Sequence, residues 1–167
     1  YGIKNIVWFT YCTPTGQPVE KFMSAVIDSN GNKTDMYAPF KTVNGEAHQL
    51  GKTLVNLDAM EVFHTRPQGP GQVALPAGFF WQPEQRNADL IITRFVSRNS
   101  KKEFVMVVNK SLTNGQQLIF AIHRPVKKIY EVSKKGKYHT SARYRRKNST
   151  LRADFLPGEG KLFELED

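Results

Sequence analysis

The sequence predicts an α+β chain in which one strand and one long amphipathic helix precede an antiparallel β-sandwich, and three patterns carry that prediction. Residues Ile3 to Tyr11 form an apolar, β-branched run that ends in aromatics. Met36, Phe40, Val43, Ala47, Leu50, Leu54 and Leu57 then recur at alternating steps of four and three, which lays one apolar stripe along a helix. From Asp89 onward, short apolar runs separated by turn residues read as six or seven strands, the spacing of a small sandwich.

Each element has its own local cause. The run from Ile3 to Tyr11 is apolar on both alternating faces, as in an inner strand covered on both sides. Cys12 to Pro18 breaks it with turn residues, Phe22 to Asp28 reads as a short strand, and Ser29-Asn30-Gly31-Asn32 turns the chain. With Asp35 as the N-cap, Pro39 falls in the first helical turn, where its missing N–H costs nothing. Gly45 and Gly51 each lower helix propensity by about 1 kcal/mol relative to alanine, so the helix depends on docking, and close approach to a neighbouring element is one reason for such glycines.

The stretch around Gln68-Gly69-Pro70-Gly71 is rich in chain-breaking residues and marks a boundary. The expected units are 1–67 (strand, loop and helix), 68–88 (a linker) and 89–167 (the β-sandwich). Within the last, Leu90–Val96 and Glu103–Asn109 flank the turn Arg98 to Lys101 as a hairpin. Leu118–Ile122, Val126–Val132 and Ala142–Arg145 follow, and Thr150–Phe155 and Lys161–Leu165 flank Pro157-Gly158-Glu159-Gly160.

The chain has 167 residues, 40% of them hydrophobic, which suffices for one well-packed core or for one small domain plus part of another. No apolar stretch is long enough to span a bilayer, and residues 1–30 lack the pattern of a signal peptide. A start at Tyr1 fits a processed protein or a fragment. Localisation stays open, a periplasmic or secreted parent included. Cys12 is the single cysteine, so neither an intrachain disulfide nor a cysteine cluster forms.

The net charge of +9 is concentrated in one segment: between Arg124 and Lys147 stand ten Lys or Arg residues against one acid, Glu131. Outside it the chain is neutral, with fourteen residues of each sign. Lys127, Lys128, Lys134, Lys135, Arg143, Arg145 and Arg146 are the candidates for a polyanion patch that takes an acidic polysaccharide or nucleic acid. Tyr130, Tyr138 and Tyr144 interleave with them. The competing reading is a Lys- and Arg-rich solvent face of an antiparallel sheet, which keeps edges apart.

Several of these motifs also resemble a known architecture. The strand-end aromatics in Ile6-Val7-Trp8-Phe9-Thr10-Tyr11, the run Ile27-Asp28-Ser29-Asn30-Gly31-Asn32-Lys33-Thr34, and the helix pattern Val43-Asn44-Gly45-Glu46 to Leu50-Gly51-Lys52-Thr53-Leu54 are similar to the closing segment of β-galactosidase-like (β/α)8-barrel glycoside hydrolases. Leu156-Pro157-Gly158-Glu159-Gly160-Lys161-Leu162-Phe163-Glu164-Leu165 resembles the final hairpin of the β-domain behind such barrels, and Val107-Val108-Asn109-Lys110 resembles a strand end common there. The resemblance implies that residues 1–67 are the last strand and helix of a barrel and that 89–167 are its C-terminal sandwich, with intramolecular packing on the barrel as the main contact and carbohydrate met through the parent enzyme.

The same resemblance sets what chemistry to expect. Glycoside hydrolysis needs two facing carboxyl groups, and the resemblance places them on earlier barrel strands, outside this chain. Asp28, Glu46, Asp89 and Glu159 occupy dissimilar positions, so no catalytic pair is nominated. Active sites of such barrels lie at the C-terminal ends of the strands, so Trp8, with Tyr11 nearby, is the candidate substrate-binding pair; an indole there either stacks on a sugar or caps the core. His48, His64, His123 and His139 have no ligand-like spacing, so no metal site is expected. No glycine-rich phosphate loop follows a strand, and no cofactor is expected. A polyanion-binding module of independent function is the alternative to the glycosidase tail, with nucleic acid the less favoured partner.

Overall fold

The structure, a computed structural model, describes residues 2–14, 25–136 and 139–167. The expected turn residues Thr15 to Pro18, the start of the strand expected from Phe22, and Tyr138 lie outside the described residues. The chain is an α+β, mostly β protein: the described residues form one α-helix and ten strands in two antiparallel sheets. In chain order these are α1 (Tyr37–Leu54), β1 (Leu57–His64), β2 (Trp81–Pro83), β3 (Leu90–Ser97), β4 (Glu103–Asn109), β5 (Gln116–Ile122), β6 (Lys128–Glu131), β7 (Thr140–Ser141), β8 (Arg143–Arg145), β9 (Thr150–Phe155) and β10 (Gly160–Glu166). A short 3-10 turn, Arg146–Asn148, separates β8 from β9.

The larger sheet runs β1-β3-β4-β10-β6-β7 and the smaller β2-β5-β9-β8. Alternation gives each strand an inner and an outer set of side chains. Leu90, Ile92, Val105, Val107, Phe163 and Leu165 of the larger sheet meet Trp81, Leu118, Phe120, Leu151, Ala153 and Phe155 of the smaller in one buried cluster. A second cluster lies on the opposite face of the larger sheet, where Phe95, Phe104 and Leu162 meet Leu50 and Leu54 of α1. The layers are thus helix, six-stranded sheet and four-stranded sheet. The chain passes between the sheets at one corner: β7 pairs with β6, Ala142 donates its N–H to the Ile129 carbonyl (2.9 Å), and β8 then pairs with β9.

Three expectations require correction. Residues 2–11, read as an inner strand, form no strand: only Cys12 makes a bridge, a parallel one to Ile27. The residues have the composition of a strand, but a strand needs a neighbour, and none of the described residues supplies one. Ile3, Ile6, Val7 and Phe9 are consequently exposed, Phe9 at 96%. Ala25 to Asp28 likewise make only isolated bridges, around a turn that the Asp28 carboxylate organises by accepting from the Asn30 and Asn32 N–H groups at 2.9 and 2.7 Å.

The helix begins at Tyr37, with Met36 and not Asp35 at the cap position. Thr34 starts the turn, since its carbonyl accepts from Tyr37 N–H (3.0 Å) and its hydroxyl from Met36 N–H (3.3 Å). Pro39 remains in the first turn. Gly45 and Gly51 do not serve close approach: a Cβ at either meets nothing within 4 Å.

The stretch 68–88, read as a linker, carries β2, whose Trp81 is fully buried at the centre of the sandwich. Its ring lies 5.7 Å from Phe120 and 5.5 Å from Phe163, so one side chain joins the two sheets. Residues 57–64, read as part of the helical unit, pair with β3 along the edge of the larger sheet, with a bulge between Ala59 and Glu61. Leu57, the last member of the helical stripe, belongs to that strand and still faces α1.

Candidate functional site

The two candidate substrate-binding aromatics, Trp8 and Tyr11, lie together beside α1. The extended segment 2–11 lies against α1. Lys4 donates from Nζ to the carbonyls of Leu54 (2.7 Å), the last residue of α1, and Leu57, the first of β1, so a cation sits at the helix C-terminus. Trp8 donates from Nε1 to Asn44 Oδ1 at 2.9 Å and sets its ring edge-on to Phe40 at 5.0 Å. Tyr11 meets the same Phe40 at 5.9 Å. The structure therefore brings Trp8 and Tyr11 together around one helical phenylalanine.

Between segment and helix runs a groove of about 740 Å³, lined by Ile3, Ile6, Trp8, Ala47, Leu50 and Leu54 among others. Its volume is that of a small-molecule site, but its lining is mainly aliphatic. Asn44, the polar group nearest the indole, is already engaged by Trp8. Such a lining suits apolar side chains of another element better than the hydroxyls of a sugar. Met36 and Val43, also on the helical stripe, are exposed beside it.

The basic segment does not fold into one patch. Lys127, Lys128, Lys134 and Lys135 lie on or near β6 of the larger sheet, whereas Arg143 and Arg145 belong to β8 of the smaller and Arg146 to the turn after it. Lys134 is largely enclosed and bonds Glu159 at 2.6 Å, with Glu46 of α1 at 3.6 Å. Arg143 pairs with Asp154. Lys127 donates to the Asp167 carbonyl at 2.7 Å and shares a depression of about 280 Å³ with Arg146 and Tyr144. Lys128, Lys135 and Arg145 are exposed. Tyr144 packs against the core and donates its hydroxyl to the Val126 carbonyl at 3.3 Å, which removes it from any stacking platform.

Many of the carboxylates are tied into ion pairs. Glu61, Arg94, Glu103, Arg124 and Asp167 form a chain of alternating charges across one end of the sandwich, with the Arg124 guanidinium 4.3 Å from the centre of the Phe80 ring. Glu164 is held by Lys102 at 2.5 Å and by His139 Nδ1 at 2.7 Å. Among the described residues, no group of three or more His, Cys, Asp or Glu is placed to hold a metal ion. Arg152 is a functional candidate that charge counting along the chain does not single out, since it lies outside the basic segment. The signal for Arg152 is its register on β9, opposite Arg143.

Burial would raise the Glu159 carboxyl, but the Lys134 hydrogen bond, the Leu156 N–H and the charges of Lys134 and Lys161 outweigh it and hold the group below the usual range. A carboxyl depressed on folding adds stability above its unfolded pKa, which is lost as pH falls through the folded one. The stability advantage of the native chain over Glu159→Gln is therefore expected at neutral pH and should vanish on acidification below the ordinary carboxyl range. Urea unfolding of both proteins from pH 7 to pH 3 checks this; a constant difference would remove Glu159 from the acid response. No known protein family, curated protein or solved structure matches the chain.

Proposed function

We propose that this chain is the non-catalytic C-terminal part of a glycoside hydrolase, in which segment 2–11 and α1 complete a catalytic (β/α)8 barrel as its last strand and helix and the β-sheets pack on it as an accessory domain. One observation carries the reading. Segment 2–11 has the composition of an inner strand but forms no strand and lies largely exposed beside a helix whose apolar stripe is only half used. Exposed apolar surface of this extent marks an interaction face, and unpaired strand edges seek a neighbouring strand. The open space over Gly45 and Gly51 gives an approaching element room.

Carbohydrate enters this reading only through the parent enzyme. Trp8 and Tyr11 are its candidate sugar contacts, at the end of what would be the last barrel strand. On this reading the facing acid and nucleophile that glycoside hydrolysis requires stand on earlier barrel strands.

Translating the reading frame upstream of Tyr1 tests the proposal directly. Repeating strand and helix units with strand-end carboxylates are expected; their absence would sink it. As a second check, the 167-residue chain should leave aryl glycosides intact, and turnover abolished by mutating one carboxylate would overturn the non-catalytic assignment. Gly45→Ala is expected to stabilise the chain by about 0.5–1 kcal/mol, because nothing opposes the new methyl group. A thermal melt reads that gain, and a loss would show that the helix face is already occupied.

A further inference from the structure

The outer face of the four-stranded sheet, on the side away from α1, carries a charge arrangement that folding alone does not explain. The antiparallel register sets Arg143 of β8 directly opposite Arg152 of β9, with Arg145 opposite Thr150 one step along. Arg143, Arg145 and Arg152 are all exposed. Like charges facing each other across two strands repel and destabilise the pair. One carboxylate, Asp154, relieves Arg143; among the described residues none pairs with Arg145 or Arg152.

Arg143 and Arg152 line one depression of about 340 Å³ with Asp154, Gln85, Gln117 and Ile119. Gln85 is held in place by accepting from the Ile119 N–H at 3.1 Å, which leaves its Nε2 donors over, and Gln117 is exposed beside it. The site thus offers planar guanidinium donors for an anion and amide groups for hydroxyls.

We propose that this face binds an acidic glycan, with a carboxylate or sulfate group held by Arg143 and Arg152 and neighbouring hydroxyls taken by Gln85 and Gln117. A guanidinium matches both oxyanions through paired N–H donors, and the anion replaces arginine repulsion with attraction. Nucleic acid fits less well. Single strands are held largely by stacking on aromatic rings, and the outward positions of β5, β8 and β9 carry Gln117, Ile119, Ala121, Arg143, Arg145, Thr150, Arg152 and Asp154 with no aromatic among them. The site faces away from the helix and does not depend on the barrel assignment.

Affinity electrophoresis at low salt tests it, using polygalacturonate, a heparin oligosaccharide, dextran and single-stranded DNA. Retardation by one or both acidic glycans and none by dextran is expected, and the ranking of the first two identifies carboxylate or sulfate as the recognised group. Arg152→Gln should weaken binding about tenfold, the loss typical of a hydrogen-bonded charge, while Lys128→Gln stays within about twofold. Without ligand, Arg152→Gln should melt no lower than the native chain, since it relieves a like-charge pair. Equal losses in the two variants would reduce the effect to diffuse charge and overturn the site. So would equal retardation by DNA, or no retardation at all.

Discussion

Replacing Trp81 by alanine is expected to lower the unfolding free energy by about 4 kcal/mol, near the top of the range for large-to-small core changes. The indole is fully buried and contacts aromatic rings from both sheets, and β2 is only three residues long, so the surrounding backbone has little means of closing the cavity. Trp81→Phe separates packing from polarity. The indole Nε1 is buried with no hydrogen-bond partner among the described residues, so phenylalanine trades a smaller void against the removal of an unsatisfied donor. Its cost should stay near 1 kcal/mol. Urea unfolding of both variants decides the matter; a loss below about 1 kcal/mol for Trp81→Ala would mean that residues 68–88 are a detachable connection after all.

Asn109→Ala should cost nearly as much for a different reason. The Asn109 side chain is buried with all its bonding capacity in use: Nδ2 donates to the carbonyls of Asn114 (2.8 Å) and Leu156 (3.0 Å), and Oδ1 accepts from Ser111 N–H (3.1 Å) and Gln116 Nε2 (2.7 Å). One residue thereby ties the β4–β5 turn to the end of β9. Removing it strips four hydrogen bonds from enclosed polar groups, at about 1 kcal/mol per bond and so up to about 4 kcal/mol in all. Asn109→Asp replaces the amide donors with an anion aimed at two carbonyls and is expected to be no better than alanine. Thermal unfolding and amide exchange at Ser111 and Gln116 read the two effects; unchanged exchange at both would show that the turn holds without the side chain.

What was legible in the sequence follows from whether a signal is local. The hairpin β3–β4 lies where alternation and turn residues place it, because its strands are neighbours in sequence and pair with each other. β9 and β10, which flank the last turn, do not form the expected final hairpin, since β9 pairs with β5 and β8 in the smaller sheet and β10 with β4 and β6 in the larger. The helix was legible from its stripe, although Thr34 and not Asp35 organises its first turn. The segment 2–11 shows the opposite case. Its composition specifies a strand, but pairing depends on a partner that no local pattern can provide. Trp81 failed for a related reason: Gly and Pro around it signal a connection, while its burial is decided by Phe120 and Phe163, both far along the chain. The basic segment was legible as charge and not as a surface, since the crossover at Ala142 sends its arginines and most of its lysines to different sheets. Arg152 entered the candidate site only through the register of β8 and β9.

The position of β10 has a consequence for how the protein is made. It lies between β4 and β6 in the middle of the larger sheet, although it is the last strand in chain order. During synthesis β1, β3 and β4 can assemble as they emerge, but the pair β6–β7 has no link to them in that sheet until residues 160–166 leave the ribosome. The larger sheet is therefore completed like an arch by its keystone, and between the emergence of β4 and that of β10 a nascent chain presents an open β4 edge.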